Sequence, residues 1–130
     1  RILKKSMDVA VERAALASGA KFVVAAGNGS TMAQTYSPAR VQARNVYTVC
    51  ALDIDDSTLA FFSNYGKPPV DVCAPGTNIV SLSRNGGSSI RSGTSMAAPH
   101  VTGALLFGSL KTERRAKSRL DGKWYRIVRR

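Results

Sequence analysis

Between Gly93 and Phe107 the chain leaves a glycine, passes Thr94 and Ser95, and runs on through Met96-Ala97-Ala98-Pro99-His100-Val101-Thr102-Gly103-Ala104-Leu105-Leu106-Phe107. So small and apolar a run predicts a helix from Ser95 to about Phe107 or Gly108, buried and apolar all round. A helix of that kind belongs to an interior, so the rest of the chain must build a core around it. Pro99 fits its first turn, where a missing N–H costs little, and Met96 reads as core. Ser95 opens the helix at a sharp turn. There its hydroxyl is presented at the positive end of the helix dipole, where developing negative charge is stabilised. That is a good place for a nucleophile, whereas a lone serine after glycine would read only as a helix cap.

Upstream, Met7, Ala10, Val11, Ala14 and Ala15 recur at helical spacing within residues 6–18, with Asp8, Glu12 and Arg13 largely off that face. Ser6 is the expected N-cap and Gly19 the residue that closes the helix. The alanine-rich face predicts close packing against a sheet. Phe22-Val23-Val24-Ala25-Ala26 follows as an unalternating apolar run, the pattern of a buried parallel strand. It ends in the turn Gly27-Asn28-Gly29-Ser30. Binding groups of open α/β sheets collect just past the carboxyl ends of strands, although by itself Asn28 reads first as a turn asparagine.

Residues 30–45 are polar and irregular, with a turn at Tyr36-Ser37-Pro38-Ala39. Val46 to Leu52 is rich in strand formers. Asp53, Asp55 and Asp56 invite a calcium site but lack the glycine and distal glutamate of an EF-hand loop. They read as a solvated acidic turn, and no metal is expected. Leu59 to Gly66 reads as a strand closing in a turn. Val70 to Gly76 and Ile79 to Leu82 read as short strands around a proline-glycine turn, and residues 84–92 as a loop delivering the chain to Ser95.

Eight consecutive residues, Gly93 to His100, match the serine motif of the subtilisin-like proteases, Gly-Thr-Ser-Met-Ala-(Ala/Ser)-Pro-His. Three further blocks resemble the same family in the same order. They are Ala25-Ala26-Gly27-Asn28, then Phe62-Ser63-Asn64-Tyr65-Gly66, then the Val70-Asp71-Val72 to Ala74-Pro75-Gly76 element. Together the blocks cover about residues 22–107. The resemblance implies an α/β, three-layer subtilisin-like fold with a mostly parallel sheet, here incomplete. It implies a serine endopeptidase acting on peptide or protein substrates through an acyl-enzyme on Ser95, with Asn28 in the oxyanion hole. Acyl transfer puts negative charge on the carbonyl oxygen, and a preorganised amide aimed there favours the transition state over the substrate. Ala25, Ala26 and Gly27 are implied to line the pocket for the residue before the scissile bond, and Gly93 and Thr94 to join the substrate-binding set. No cofactor is implied, and the family's tendency is a secreted or extracytoplasmic setting.

Part of the machinery is missing. A serine needs an adjacent base, and the base an orienting carboxylate. His100 is the single histidine and follows Ser95 by five positions on the same helix, so it turns away. Asp8 and Asp71 do not match the family's aspartate motif. Residues 1–110 are therefore expected to be the carboxyl-terminal part of a catalytic domain, inactive without its amino-terminal half. The chain starts at Arg1, which suggests a processed or truncated piece. The alternative is a non-catalytic remnant, or an interaction module with a basic tail that could grip nucleic acid by phosphate contacts and by stacking on Trp124 and Tyr125.

That tail, residues 111–130, holds nine of the 19 Lys and Arg against Glu113 and Asp121. It accounts for +7 of the +11 net charge. It is expected to be solvated and partly disordered, with nucleic acid not among the expected partners because no nucleic-acid fold precedes it. No stretch is long and apolar enough to predict a membrane span. Cys50 and Cys73 sit in apolar strand-like segments without metal spacing. Buried free thiols are the default for them, and a disulfide follows only if the strands place them together.

Overall fold

The computed structural model describes residues 3–129; residues 1, 2 and 130, including Arg130 of the basic tail, lie outside the described residues. The elements in order are α1 (Lys5–Ser18), β1 (Phe22–Ala25), a single 3-10 turn (Ala33–Thr35), β2 (Val46–Leu52), β3 (Val70–Pro75), β4 (Ile79–Leu82), β5 (Ser88–Arg91), α2 (Thr94–Leu105), β6 (Thr112–Lys117) and β7 (Trp124–Val128). Five strands form one sheet in the order β1-β2-β3-β7-β6. All of its pairs are parallel except β6 with β7.

Alternation along the strands sorts the core into two faces. Val49, Ala51, Val72 and Ala74 point to α2 and meet its Ala97, Val101 and Leu105. Cys50, Leu52 and Cys73 point the other way, under Ala26, Ala33 and Ala39 of the 26–39 segment. On that second side α1 packs through Ala15 and Val11 against Val46, Phe22 and Val24. The result is the expected three layers.

Several expectations need correcting. Helix α1 begins after Lys4 with no side-chain cap, so Ser6 is not its N-cap, while Gly19 closes it in the left-handed region as expected. Asp8, expected off the packed face, is buried: its Oδ2 accepts from Ser37 Oγ and Arg40 Nε and ties α1 to the turn at Pro38. In α2 Pro99 lies past the first turn. The helix also buries only Thr94, Ala97, Val101 and Leu105, while Leu106 and Phe107, 82% and 93% exposed, lie beyond its end. Mean apolarity told that the helix was interior; it could not tell on how many sides this chain covers it.

Residues 59–66 are not a strand. Leu59 and Tyr65 make only isolated bridges, to Leu52 and Met32, and Ser63 and Asn64 spend their side chains on neighbouring backbone. Half of the expected loop 84–92 is β5, paired antiparallel with β4 around Gly86 and Gly87, both left-handed.

Cys50 and Cys73 stand opposite each other in register and form a disulfide, so they are not the free thiols taken as the default. The crosslink closes a loop across a sequence separation of 23. Replacing both cysteines by alanine is expected to cost about 2–4 kcal/mol by the loop-entropy argument, read as a drop in the urea midpoint.

The tail is folded, not disordered. Strand β7 alternates, with Tyr125 and Ile127 buried and Arg126 outward, and joins β3 through the pair Cys73 and Ile127. The Tyr125 hydroxyl accepts from the Gly66 N–H at 2.7 Å and donates to Asp121 Oδ2 at 2.6 Å. Burial, then Asp121, pushes that phenol well above its ordinary pKa. Burial alone would raise Asp121, but bonds from Tyr125, Lys123 and Ser118 outweigh it and hold the carboxyl low. Its stabilising contribution is therefore present above the ordinary carboxylate pKa and lost on acidification through the lower folded value. Tyr125→Phe keeps the ring but orphans the buried Gly66 N–H, so a loss of about 1–3 kcal/mol is expected in thermal unfolding.

Candidate active site

The site lies where β1 and β3 end and α2 begins. From β1 the chain passes Ala26 into Gly27-Asn28-Gly29. From β3 it passes Pro75 into Gly76, whose carbonyl accepts from the Gly93 N–H at 2.8 Å. That bond holds the turn before α2 on the end of the sheet. Gly76 has no room for a side chain, since a Cβ there would lie 2.5 Å from Ala51 Cβ and 2.9 Å from the Gly93 carbonyl oxygen. Gly93 itself has φ 153° and caps α2, one residue before Thr94 and two before the serine.

Thr94 is fully buried and acts as a clamp. Its N–H donates to Asn28 Oδ1 at 2.8 Å and its hydroxyl donates to the same oxygen at 2.9 Å. The hydroxyl oxygen also accepts from the Gly27 N–H at 3.1 Å. With Oδ1 taken twice, the Asn28 amide can turn only its NH₂ outward. A point one Cβ length from Gly93 is 3.6 Å from Asn28 Nδ2 and 3.8 Å from the Ser95 backbone nitrogen. The two donors therefore border the same space. Ser95 is exposed, and among the described residues neither its N–H nor the Asn28 NH₂ has a protein acceptor. Two free N–H donors beside an exposed hydroxyl at a helix N-terminus can hold an oxyanion.

The other expected site residues fall unevenly. Ala25 and Gly27 are half-buried at the loop, whereas Ala26 is fully buried and supports it from inside the core. Thr94 faces inward to Asn28. His100 is exposed, and its Nδ1 bonds the Met96 carbonyl at 2.9 Å, back along its own helix. The described residues hold no other histidine. An open groove of about 850 Å³ along the far end of α2, lined by His100, Ala104, Phe107 and Val128, does not reach Ser95.

Asn64 is the residue sequence reasoning passed over. It is fully buried, and its Oδ1 accepts from the N–H groups of Gly29 and Thr31 at 2.9 and 3.1 Å. Its Nδ2 donates to the Ala26 carbonyl at 2.9 Å, and its backbone N–H to the Gly27 carbonyl at 2.9 Å. One side chain thus brackets the loop on both sides of Asn28. The glycines are required by that closeness: a Cβ at Gly27, where φ is 103°, would lie 2.4 Å from Asn64 Nδ2, and one at Gly29 would meet the Tyr36 hydroxyl. The sequence signal was the position of Asn64 within a matched block, with no chemistry attached.

Comparison with known proteins bears on this arrangement. The model of the Subtilase family matches residues 2–112. "Subtilisin-like serine protease Rho m 2.0101" of Rhodotorula mucilaginosa is 46% identical over 104 residues, 78% of this chain and 29% of that protein. "Subtilisin-like protease 1" of Pseudogymnoascus destructans is 49% identical over 104 residues, again 78% of this chain and 25% of that protein. Among solved structures, "Crystal structure of a cold adapted subtilisin-like serine proteinase" superposes with a TM-score of 0.74 at 41% identity, covering 82% of this chain and 38% of that one. The chain thus spans less than a third of the length of these curated relatives.

Proposed function

The chain belongs to the subtilase family, and on that premise we propose that it is the part of a serine endopeptidase that carries the nucleophile and the oxyanion hole. Ser95 attacks the peptide carbonyl. Asn28 Nδ2 and the Ser95 N–H receive the oxyanion. A histidine and an aspartate from an amino-terminal half, the partner this chain needs, take and steer the proton. The observation that carries this reading is the clamping of Asn28 Oδ1 by Thr94, which leaves the amide NH₂ free beside the Ser95 N–H. Ala25, Gly27 and the backbone around Ala26, with Gly93, flank the peptide, while Thr94 acts through Asn28.

Donors without a base stabilise a transition state that forms too slowly to matter, so the chain alone is inactive. Purified chain should leave a chromogenic peptide intact, and the same chain joined to an amino-terminal half bearing the base and its carboxylate should cleave it. Hydrolysis by the isolated chain that Ser95→Ala abolishes would overturn the division of labour. No hydrolysis by a folded, joined protein would overturn the assignment itself.

A further inference from the structure

The family match stops at residue 112, before most of the hairpin β6–β7 where the charge is concentrated. On β7 Val128, Arg126 and Trp124 share one face by alternation. Val128 packs under α2, and Arg126 and Trp124 carry that face out beyond the helix. Across the ladder Arg115 stands opposite Arg126, and Lys117 opposite Trp124 with its Nζ 5.7 Å from the ring centroid. All four are exposed, Trp124 by half. Like charges directly opposite destabilise a sheet. Among the described residues the one ion pair is Asp8 with Arg40, so no carboxylate pairs with these arginines. An ordered, uncompensated cationic face around an open indole calls for an anion that also has flat rings.

We propose that this face binds single-stranded nucleic acid. Arg115, Arg126 and Lys117 take phosphates, and Trp124 stacks a base. The indole decides between this and an acidic peptide, which would use the cations but give the ring nothing to stack. The expectation against nucleic acid rested on the lack of a nucleic-acid fold before a solvated tail; the tail is instead a folded sheet edge.

Trp124 is the single tryptophan of the chain, so its fluorescence reports stacking directly. Titrating the full chain with a short oligothymidylate should quench that emission, with affinity falling as salt rises. Arg115→Gln with Arg126→Gln should flatten the log–log salt slope by about 1.4, from two phosphate contacts at roughly 0.7 each. Trp124→Phe should retain much of the affinity, and Trp124→Ala should lose roughly five- to hundredfold, as for other stacked bases. Near-ultraviolet or far-ultraviolet circular dichroism checks the fold of each variant, and the wild-type quench stands even if a variant fails to fold. No binding at low salt, binding without quenching, or tighter binding of polyglutamate than of oligothymidylate would each overturn the proposal.

Discussion

Asn28→Leu in the joined protease is expected to lower turnover by about 10²–10³ with little change in KM, a range that belongs to subtilisin itself, the reference case for this donor. The reason lies in when the hydrogen bond matters. The amide NH₂ is preorganised by the two bonds from Thr94 to Asn28 Oδ1, so no reorganisation is needed as charge builds on the carbonyl oxygen. An interaction made chiefly in the transition state lowers kcat and leaves ground-state binding nearly untouched. Leucine also removes the acceptor of the buried Thr94 hydroxyl and N–H, which costs about 1–3 kcal/mol of stability. Steady-state kinetics beside a thermal melt separate the two effects. A rise in KM at constant kcat would point to substrate binding and away from the oxyanion.

Asn64→Ala is expected to act on the same step from a distance. It removes the acceptor of Gly29 and Thr31 and the donor to Ala26, freeing the loop that carries Asn28. Stability should fall by about 2–4 kcal/mol, since several backbone groups lose their partner at once. Turnover should fall by about 10- to 100-fold, the scale on which a misplacement of about 1 Å acts. The diagnostic is non-additivity. In an Asn28→Leu background, where there is no donor left to position, Asn64→Ala should change kcat little. Asn64→Asp keeps the acceptor and should retain more activity. Fully additive losses would leave Asn64 a purely structural residue.

Legibility from sequence followed the range of the interaction concerned. The places of Ser95 at the start of α2 and of Asn28 in the turn after β1 were readable because a contiguous motif and a strand-end turn carry them; β1 was readable from an unalternating apolar run and β2 from its strand formers. The disulfide was not, because it depends on the register of β2 against β3, and nothing local fixes which residue of one strand faces Cys50. Thr94 was read as a substrate contact since its spacing from Asn28, 66 positions away, hides the clamp. Asn64 carried no chemistry in the sequence, because its four bonds exist only once the loop folds over it. The tail was misjudged by counting its charge as a whole. Tyr125-Arg126-Ile127 already alternates with a period of two, and that pattern, more than the net charge, decides whether a segment can bury one face.

The role proposed for Ser95 is that of a nucleophile poised beside its oxyanion donors and waiting for a base. It is tested most directly by covalent labelling with a fluorophosphonate, followed by peptide mass mapping. One adduct is expected, on Ser95, in the chain joined to its amino-terminal half, fading in Asn28→Leu, with negligible labelling of the chain alone. An adduct on another serine, or Ser95 left unlabelled in a joined protein that circular dichroism shows to be folded, would contradict it.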